Sequence, residues 1–205
     1  MKLYTRTGDH GSTGTLTGRV SKDSLQVAAL GALDTLHAHL AVVFEESYRT
    51  QLNSVILDTY LKVILADVMH DLLELGTHVS ALAPATEWWC VFPTAIMSVK
   101  NEKYVFKNPR FGVEEMEARI DAMCSSTPEL TSFILHTGSI LTAYVHVART
   151  SCRAAEAAIV AFLAQASGVE VRDQILLRYL NRLSDYLFAL ARLCTHVQEG
   201  QETVH

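Results

Sequence analysis

The stretch SILTAYVHVARTSCRAAEAAIVAFLAQ, Ser139 to Gln165, decides the fold class. It reads as one long helix, and the twenty-nine residues from Ser139 to Ser167 carry only three charged side chains, Arg149, Arg153 and Glu156. Their spacing of four and then three places them on one helix face, and His146, three residues earlier, extends the same stripe. A charged stripe is ordinarily a solvated surface. Here Tyr144, Val145, Val147, Ala148, Ile159, Val160 and Phe162 leave little room for a wide polar face. So narrow a seam must either be paired with opposite charges or face a polar ligand, because lone buried ions are costly.

Outward from this segment the same periodicity recurs. A fifth helix is predicted over about Asp173 to Val197, beyond a loop around Gly168, and its segment YLNRLSDYLFALAR aligns Asn181, Asp185 and Phe188 at i, i+4 and i+7. Arg178, Arg182 and Arg192 add positive charge, and an Arg182–Asp185 pair at i, i+3 accounts for part of that pattern without any ligand. Towards the N-terminus, Leu25, Ala29, Leu33, Leu36, Leu40 and Val43 mark a first helix with Ser21 or Asp23 as its N-cap. A second helix is expected over about Ser54 to Leu82, and a short third over about Val113 to Cys124. Between them, residues 84–112 hold both tryptophans, Trp88 and Trp89, and three of the four prolines, which fits a long irregular or hairpin insert better than a helix. Five helices and few strand signals predict an all-α helical bundle, a single domain over residues 1–205.

Composition narrows the function. Of 205 residues 49% are hydrophobic and only 19% charged, which argues for surface buried between subunits of a homo-oligomer. With a formal net charge of −5 and no basic block, a nucleic-acid partner is not expected. No run of apolar residues suggests a membrane span and the first residues lack a signal-peptide hydrophobic region, so a soluble intracellular protein is expected, cytoplasmic, or in the mitochondrial matrix if the source is a eukaryote. Cys90, Cys124, Cys152 and Cys194 are scattered and read as free thiols. The nine histidines make no metal-binding spacing, and no serine or cysteine nucleophile motif is legible.

One segment stands apart from the helices. TRTGDHGSTGTLTG, Thr5 to Gly18, holds four glycines and five threonines, and Lys22 follows it. Glycines turn backbone N–H groups towards a ligand and hydroxyls add donors, the makings of a phosphate-binding nest. By itself the stretch also reads as a flexible tail, and it matches neither a Walker loop nor a dinucleotide fingerprint.

In combination, YTRTGDHGSTGTL (Tyr4 to Leu16), RVSKDSLQVAALGALDTL (Arg19 to Leu36), FILHTGS (Phe133 to Ser139), HVARTSCRAAE (His146 to Glu156) and YLNRLSDYLFALAR (Tyr179 to Arg192) resemble the PduO-type ATP:cob(I)alamin adenosyltransferases. The resemblance covers most of the chain in order and leaves residues 84–112 unmatched. It implies a homotrimer of five-helix bundles with a site at each subunit interface. There ATP gives its 5′-deoxyadenosyl group to the cobalt of reduced, base-off cobalamin, and triphosphate leaves. Thr5, Thr7, Gly8, Asp9, Gly11, Ser12 and Thr13 would wrap ATP within an N-terminal nucleotide-binding loop, residues 1–20. Lys22 and Arg153 would meet its phosphates, Glu156 and Asn181 would belong to the nucleotide site, and Mg²⁺ would ride on the triphosphate rather than on a protein metal site. Arg149 would pair with Asp34 of a neighbouring subunit, and Phe133 and Phe188 would form an apolar wall beneath the corrin ring. A cobalamin-dependent mutase or a reductase is the implied protein partner.

Several positions depart from the family pattern. Ala154 and Ala157 stand where arginines are usual, Thr35 where a glutamate follows the aspartate, and His136-Thr137-Gly138 where Pro-(Gly/Ser)-Gly is usual. Each lost charge-assisted contact is worth about 1.5–3 kcal/mol. The alternative reading that these departures keep open is a weakened or inactive homologue acting as a cobalamin or ATP carrier or sensor.

Overall fold

A short antiparallel hairpin, β1 (Ser12–Thr15) and β2 (Gly18–Ser21), precedes five helices in chain order. They are α1 (Leu25–Arg49), α2 (Val55–Thr59, then a π-helical turn Tyr60–Ile64, then Leu65–Ala81), α3 (Val113–Ser125), α4 (Ile140–Leu163) and α5 (Val171–Glu199). The structure, a computed structural model, describes residues 2, 4–82, 106, 109–166 and 171–199. The predicted insert lies outside these except for Phe106 and residues 109–112, and so do Trp88, Trp89, Cys90 and the loop at Gly168.

Helix starts follow side-chain capping. Ser139 accepts the Thr142 N–H at the head of α4, and Ser54 accepts the Leu57 N–H at the head of α2. At α1 the expected caps, Ser21 and Asp23, are wrong by a few residues: Ser24 accepts the Val27 N–H, because Ser21 pairs with Ser12 in the hairpin. The long second pattern forms consecutive helical turns as expected, but its 3.6-residue period is broken by the π turn, where Tyr60, Leu61 and Ile64 all reach the core.

The core is built around α4, which packs between α1 and α5, while α2 lies on α1 and α3 on α5. Leu36 and Leu40 of α1, Val145, Ala148, Cys152, Ala155 and Ile159 of α4, and Leu183 and Leu187 of α5 are fully buried. Large aliphatic side chains of this kind each contribute about 1.5–3 kcal/mol of burial. Burial pushes the Cys152 thiol up beyond the usual range and the Cys194 thiol to about 12, so both act as small apolar core groups. The α1 helix, with mean hydropathy 1.6, is long and apolar enough to cross a membrane by length and composition only, a test that the core helix of a bundle also passes. Its Leu33, Leu36, Leu40 and Val43 nevertheless form one buried stripe within the bundle, and the His39 Nδ1 sits 2.6 Å from the Ser151 Oγ of α4.

A buried carboxylate secures the end of the insert. Asp71 of α2 accepts the backbone N–H groups of Arg110 (2.7 Å) and Phe111 (3.0 Å) and the Tyr179 hydroxyl (2.9 Å). Burial raises the Asp71 pKa, outweighing the three hydrogen bonds that favour its anion. Phe106 packs edge-on against Tyr179 and Phe111 against Tyr186, so the chain returning from the insert is locked onto α5.

Candidate functional site

On α4, at 100° per residue, the exposed positions divide into two flanks. Ile140, Tyr144 and Val147 lie on the side of Ser151, which meets α1. Arg149, Arg153 and Glu156 lie on the opposite flank, along α5. The Asn181 amide of α5 donates to Glu156 (3.1 Å), and the Arg149 guanidinium lies over the Phe188 ring, 5.8 Å from its centre. The charged seam is therefore real, and it is only partly paired. Arg153 is exposed and has no carboxylate within ion-pairing distance among the described residues. Arg149 is half-buried, its Nε has no partner, and one Nη2–H points to the His136 Nε2 at 3.2 Å. Burial first, and then the charge of Arg153, lowers the Arg149 pKa, although a guanidinium stays protonated throughout. Two such cations on one flank form a field that an anion would relieve.

Behind Arg149 lies a histidine pair. His136 stacks on His146 with ring centres 4.4 Å apart, and His146 in turn faces Phe188 at 6.3 Å. His146 is 4% exposed, and burial, assisted by His136 and Arg149, lowers its pKa from 6.5 to about 4. The folded protein thus leaves His146 neutral where the unfolded chain protonates it. Because the unfolded state binds the extra proton below pH 6.5, stability is full above that pH and declines as pH falls towards 4. This single group is expected to remove about 2 kcal/mol between pH 7 and pH 5. Urea unfolding at the two pH values checks it: His146→Phe, which keeps the ring stack and removes the titration, should flatten the difference by that amount.

Gly138 sets the turn into α4. Its φ of 129° suits glycine, and a Cβ there would stand 3.2 Å from the Thr195 Oγ1 and 3.3 Å from Thr142. Nearby, Phe133 is 90% exposed, while Phe188 is half-buried. Phe188 lies against both Arg149 and His146, whereas Phe133 stands three residues before His136 in the chain with its ring exposed.

The N-terminal segment forms a turn followed by the hairpin, more ordered than the loop or flexible tail its composition suggests. Thr5 and Thr7 share a hydroxyl hydrogen bond (2.8 Å), the Asp9 and Gly11 N–H groups close successive turns onto Arg6 and Gly8, and the Lys22 N–H returns to the Gly11 carbonyl (2.8 Å). Ser12 and Thr13 begin β1. A Cβ on Gly8 would stand 3.3 Å from the Lys22 ammonium, so the small residue lets the cation fold over the turn. Arg19, not singled out from sequence, binds the Thr7 carbonyl and both the carbonyl and hydroxyl of Ser12, and so fixes the turn to the hairpin. Nothing in the sequence alone marks it, since its place across from Gly14 exists only in the folded hairpin.

Within one chain these groups do not all meet. The hairpin tip is tied to the end of α2, where the Leu16 N–H reaches the Ser80 carbonyl and hydroxyl, and among the described residues no hydrogen bond or ion pair joins residues 4–22 to α4 or α5. Asp34 is exposed on α1 in an open groove of about 390 Å³ that Leu16, His37, Leu72 and Thr77 also line, and it has no ion-pair partner among the described residues. The site residues expected from sequence thus fall into two groups, two candidate half-sites. One comprises Thr5, Thr7, Gly8, Asp9, Gly11, Ser12, Thr13, Lys22 and, beyond the hairpin, Asp34; the other comprises Arg149, Arg153, Glu156, Asn181, Phe133 and Phe188.

The cobalamin adenosyltransferase family model matches residues 3–194, which include both half-sites. The chain belongs to the cobalamin adenosyltransferase family. It is 35% identical over 194 residues to a corrinoid adenosyltransferase of Bacillus subtilis, covering 94% of this chain and 86% of that one. It is 31% identical over 204 residues to a cobalamin adenosyltransferase of Cupriavidus metallidurans, covering 99% and 93%. Among solved structures, a variant PduO-type ATP:corrinoid adenosyltransferase from Lactobacillus reuteri, complexed with cobalamin and ATP, superposes with a TM-score of 0.78 at 25% identity, covering 100% of this chain and 99% of that one. The five-helix, all-α expectation agrees with this cobalamin adenosyltransferase fold, with the hairpin as an addition.

Proposed function

We propose that the protein transfers the 5′-deoxyadenosyl group of ATP to the cobalt of a reduced corrinoid, with release of triphosphate. The observation that carries this reading is that the family match spans both half-sites, in a chain whose fold is shared with a relative holding cobalamin and ATP. In the reaction the cobalt(I) electron pair forms a bond to C5′ of ATP as the C5′–oxygen bond to triphosphate breaks. The protein's part is to hold the two substrates in line and to stabilise charge on the departing phosphates.

The active assembly is a homotrimer, with the N-terminal turn of one protomer closing on the α4–α5 flank of its neighbour. Three features of the described residues support this: the separation of the half-sites within one chain, an Asp34 with no ion-pair partner among them, and two cations of the α4 flank with no carboxylate partner among them. Thr5, Thr7, Gly8, Asp9, Gly11, Ser12, Thr13 and Lys22 bind ATP from one side. Arg153, Asn181 and Glu156 bind it from the other, with Mg²⁺ carried mainly by the triphosphate. Arg149 pairs with the neighbour's Asp34. Phe133, with nine-tenths of its surface exposed, and Phe188 provide the apolar wall that excludes a lower ligand from the corrinoid. The compartment is the cytoplasm, or the mitochondrial matrix in a eukaryote, and a corrinoid-dependent mutase or a reductase is the protein partner.

The test is to mix the protein with ATP, Mg²⁺ and chemically reduced cobalamin and to measure adenosylcobalamin and triphosphate. Stoichiometric formation of both is expected, and no product above a protein-free control overturns the enzymatic reading. Tight binding of ATP or cobalamin without turnover would instead select a carrier, the reading favoured by the exposed Ala154 and Ala157 beside Arg153.

A further inference from the structure

The arginine of the α4 flank is held by a neutral imidazole. Arg149 offers five N–H donors and no acceptor, so the His136 Nε2, 3.2 Å from its Nη2, must be the acceptor, and the His136 ring proton must sit on Nδ1. Two further contacts fix this arrangement. The His136 ring is stacked at an interplanar angle of 25° on His146, which is itself buried, and the guanidinium rests over Phe188 on the other helix. Of the groups that interact with this pair, His146 and Arg149 lie on α4 with Arg153 beyond Arg149, and Phe188 of α5 is uncharged; one turn further along α5 the Arg192 guanidinium binds the Pro128 carbonyl. No carboxylate of the same chain forms an ion pair with Arg149 among the described residues. The Arg149 Nε is buried and has no hydrogen-bond partner among the described residues, so only the Nη groups can serve an outside acceptor. A half-buried guanidinium fixed by one Nη2–H and by a ring face directs its remaining Nη–H groups away from His136.

We propose that His136 is a positioning residue for Arg149: its unprotonated Nε2 accepts from the guanidinium and aims the remaining donors out of the chain, towards the substrate-bearing interface. Its kinetic consequence rests on the adenosyltransferase reading, whereas the tautomer and its dependence on Arg149 do not. A long aliphatic side chain at 136 could fill the space but not accept a hydrogen bond. Glutamine can place an oxygen near the position of Nε2.

The first experiment is a long-range ¹⁵N–¹H spectrum of the full-length protein near pH 8. The expected result is a His136 ring protonated at Nδ1, opposite to the form an isolated imidazole prefers, which reverts in Arg149→Leu. A ring protonated at Nε2, or one indifferent to Arg149→Leu, overturns the proposal. The second is kinetic. His136→Leu should lower kcat about tenfold, the loss of one charge-assisted hydrogen bond, with KM for ATP within about threefold, while His136→Gln stays within about threefold of the parent. In an Arg149→Leu background the two variants should become equal. If leucine and glutamine behave alike in the presence of Arg149, His136 is not positioning it. Should the parent chain show no turnover, the spectrum alone decides between the two outcomes.

Discussion

Arg153→Ala lowers kcat/KM for ATP by about a hundredfold to a thousandfold, the range for removing one transition-state donor. Arg153 is exposed on α4 and has no carboxylate partner among the described residues, so its removal breaks no ion pair within the fold. Alanine is also the best helix former, and removing one of two neighbouring cations relieves the unfavourable field at Arg149. A variant of unchanged thermal stability with a large loss of rate is therefore expected. Arg153→Lys should fall between the two, because lysine keeps the charge but not the bidentate fork that matches phosphate oxygens. Steady-state kinetics with ATP and reduced cobalamin measures all three proteins. An alanine variant within about threefold of the parent would show that Arg153 does not meet the triphosphate.

Asp34→Ala has its largest effect on assembly. The carboxylate is exposed in the groove behind the hairpin tip and has no ion pair in its own chain among the described residues, so the folded protomer loses little when it goes. Arg149, held by His136 and Phe188 with no carboxylate partner among the described residues, is the cation that the proposed trimer sets against it. Breaking a buried pair leaves the other charge uncompensated, at about 3–5 kcal/mol for each pair. A closed trimer contains three equivalent interfaces, so the loss is repeated around the ring. Sedimentation at micromolar concentration should show trimers for the parent and smaller species for Asp34→Ala and Arg149→Glu. The exchange variant Asp34→Arg with Arg149→Glu should recover part of the assembly. An Asp34→Ala trimer as resistant to dilution as the parent would remove Asp34 from the interface.

Much of the architecture was legible because helices announce themselves locally. The apolar steps of α1, α4 and α5, and Ser54 and Ser139 at helix starts, are short-range signals that packing reinforces rather than overrides. What escaped depended on partners far along the chain. Asp71 binds backbone groups of residues 110 and 111, about forty positions ahead, and nothing near it in sequence marks it as their acceptor. The N-cap shifted to Ser24 because Ser21 was already engaged with Ser12 in a hairpin that Thr-rich sequence alone did not separate from a flexible loop. In the site, the Arg149, Arg153, Glu156 spacing was readable and the Asn181–Glu156 contact followed from two adjacent helices. The grip of His136 on Arg149 was not, since thirteen residues and a turn through Gly138 separate them. The division of the proposed site between protomers came from the family resemblance and not from spacing or periodicity; the tie between the hairpin tip and Ser80 supports it.

Complementation between two inactive variants addresses that division most directly. Lys22→Ala, which disables the N-terminal half-site, and Arg153→Ala, which disables the α4 half-site, are unfolded together and refolded as an equal mixture. If each site takes one half from each of two protomers, random assembly restores about one site in four, and activity should rise to about a quarter of the parent's. Activity that stays at the level of the separate variants, in mixtures shown to contain both chains in one trimer, would contradict a shared site.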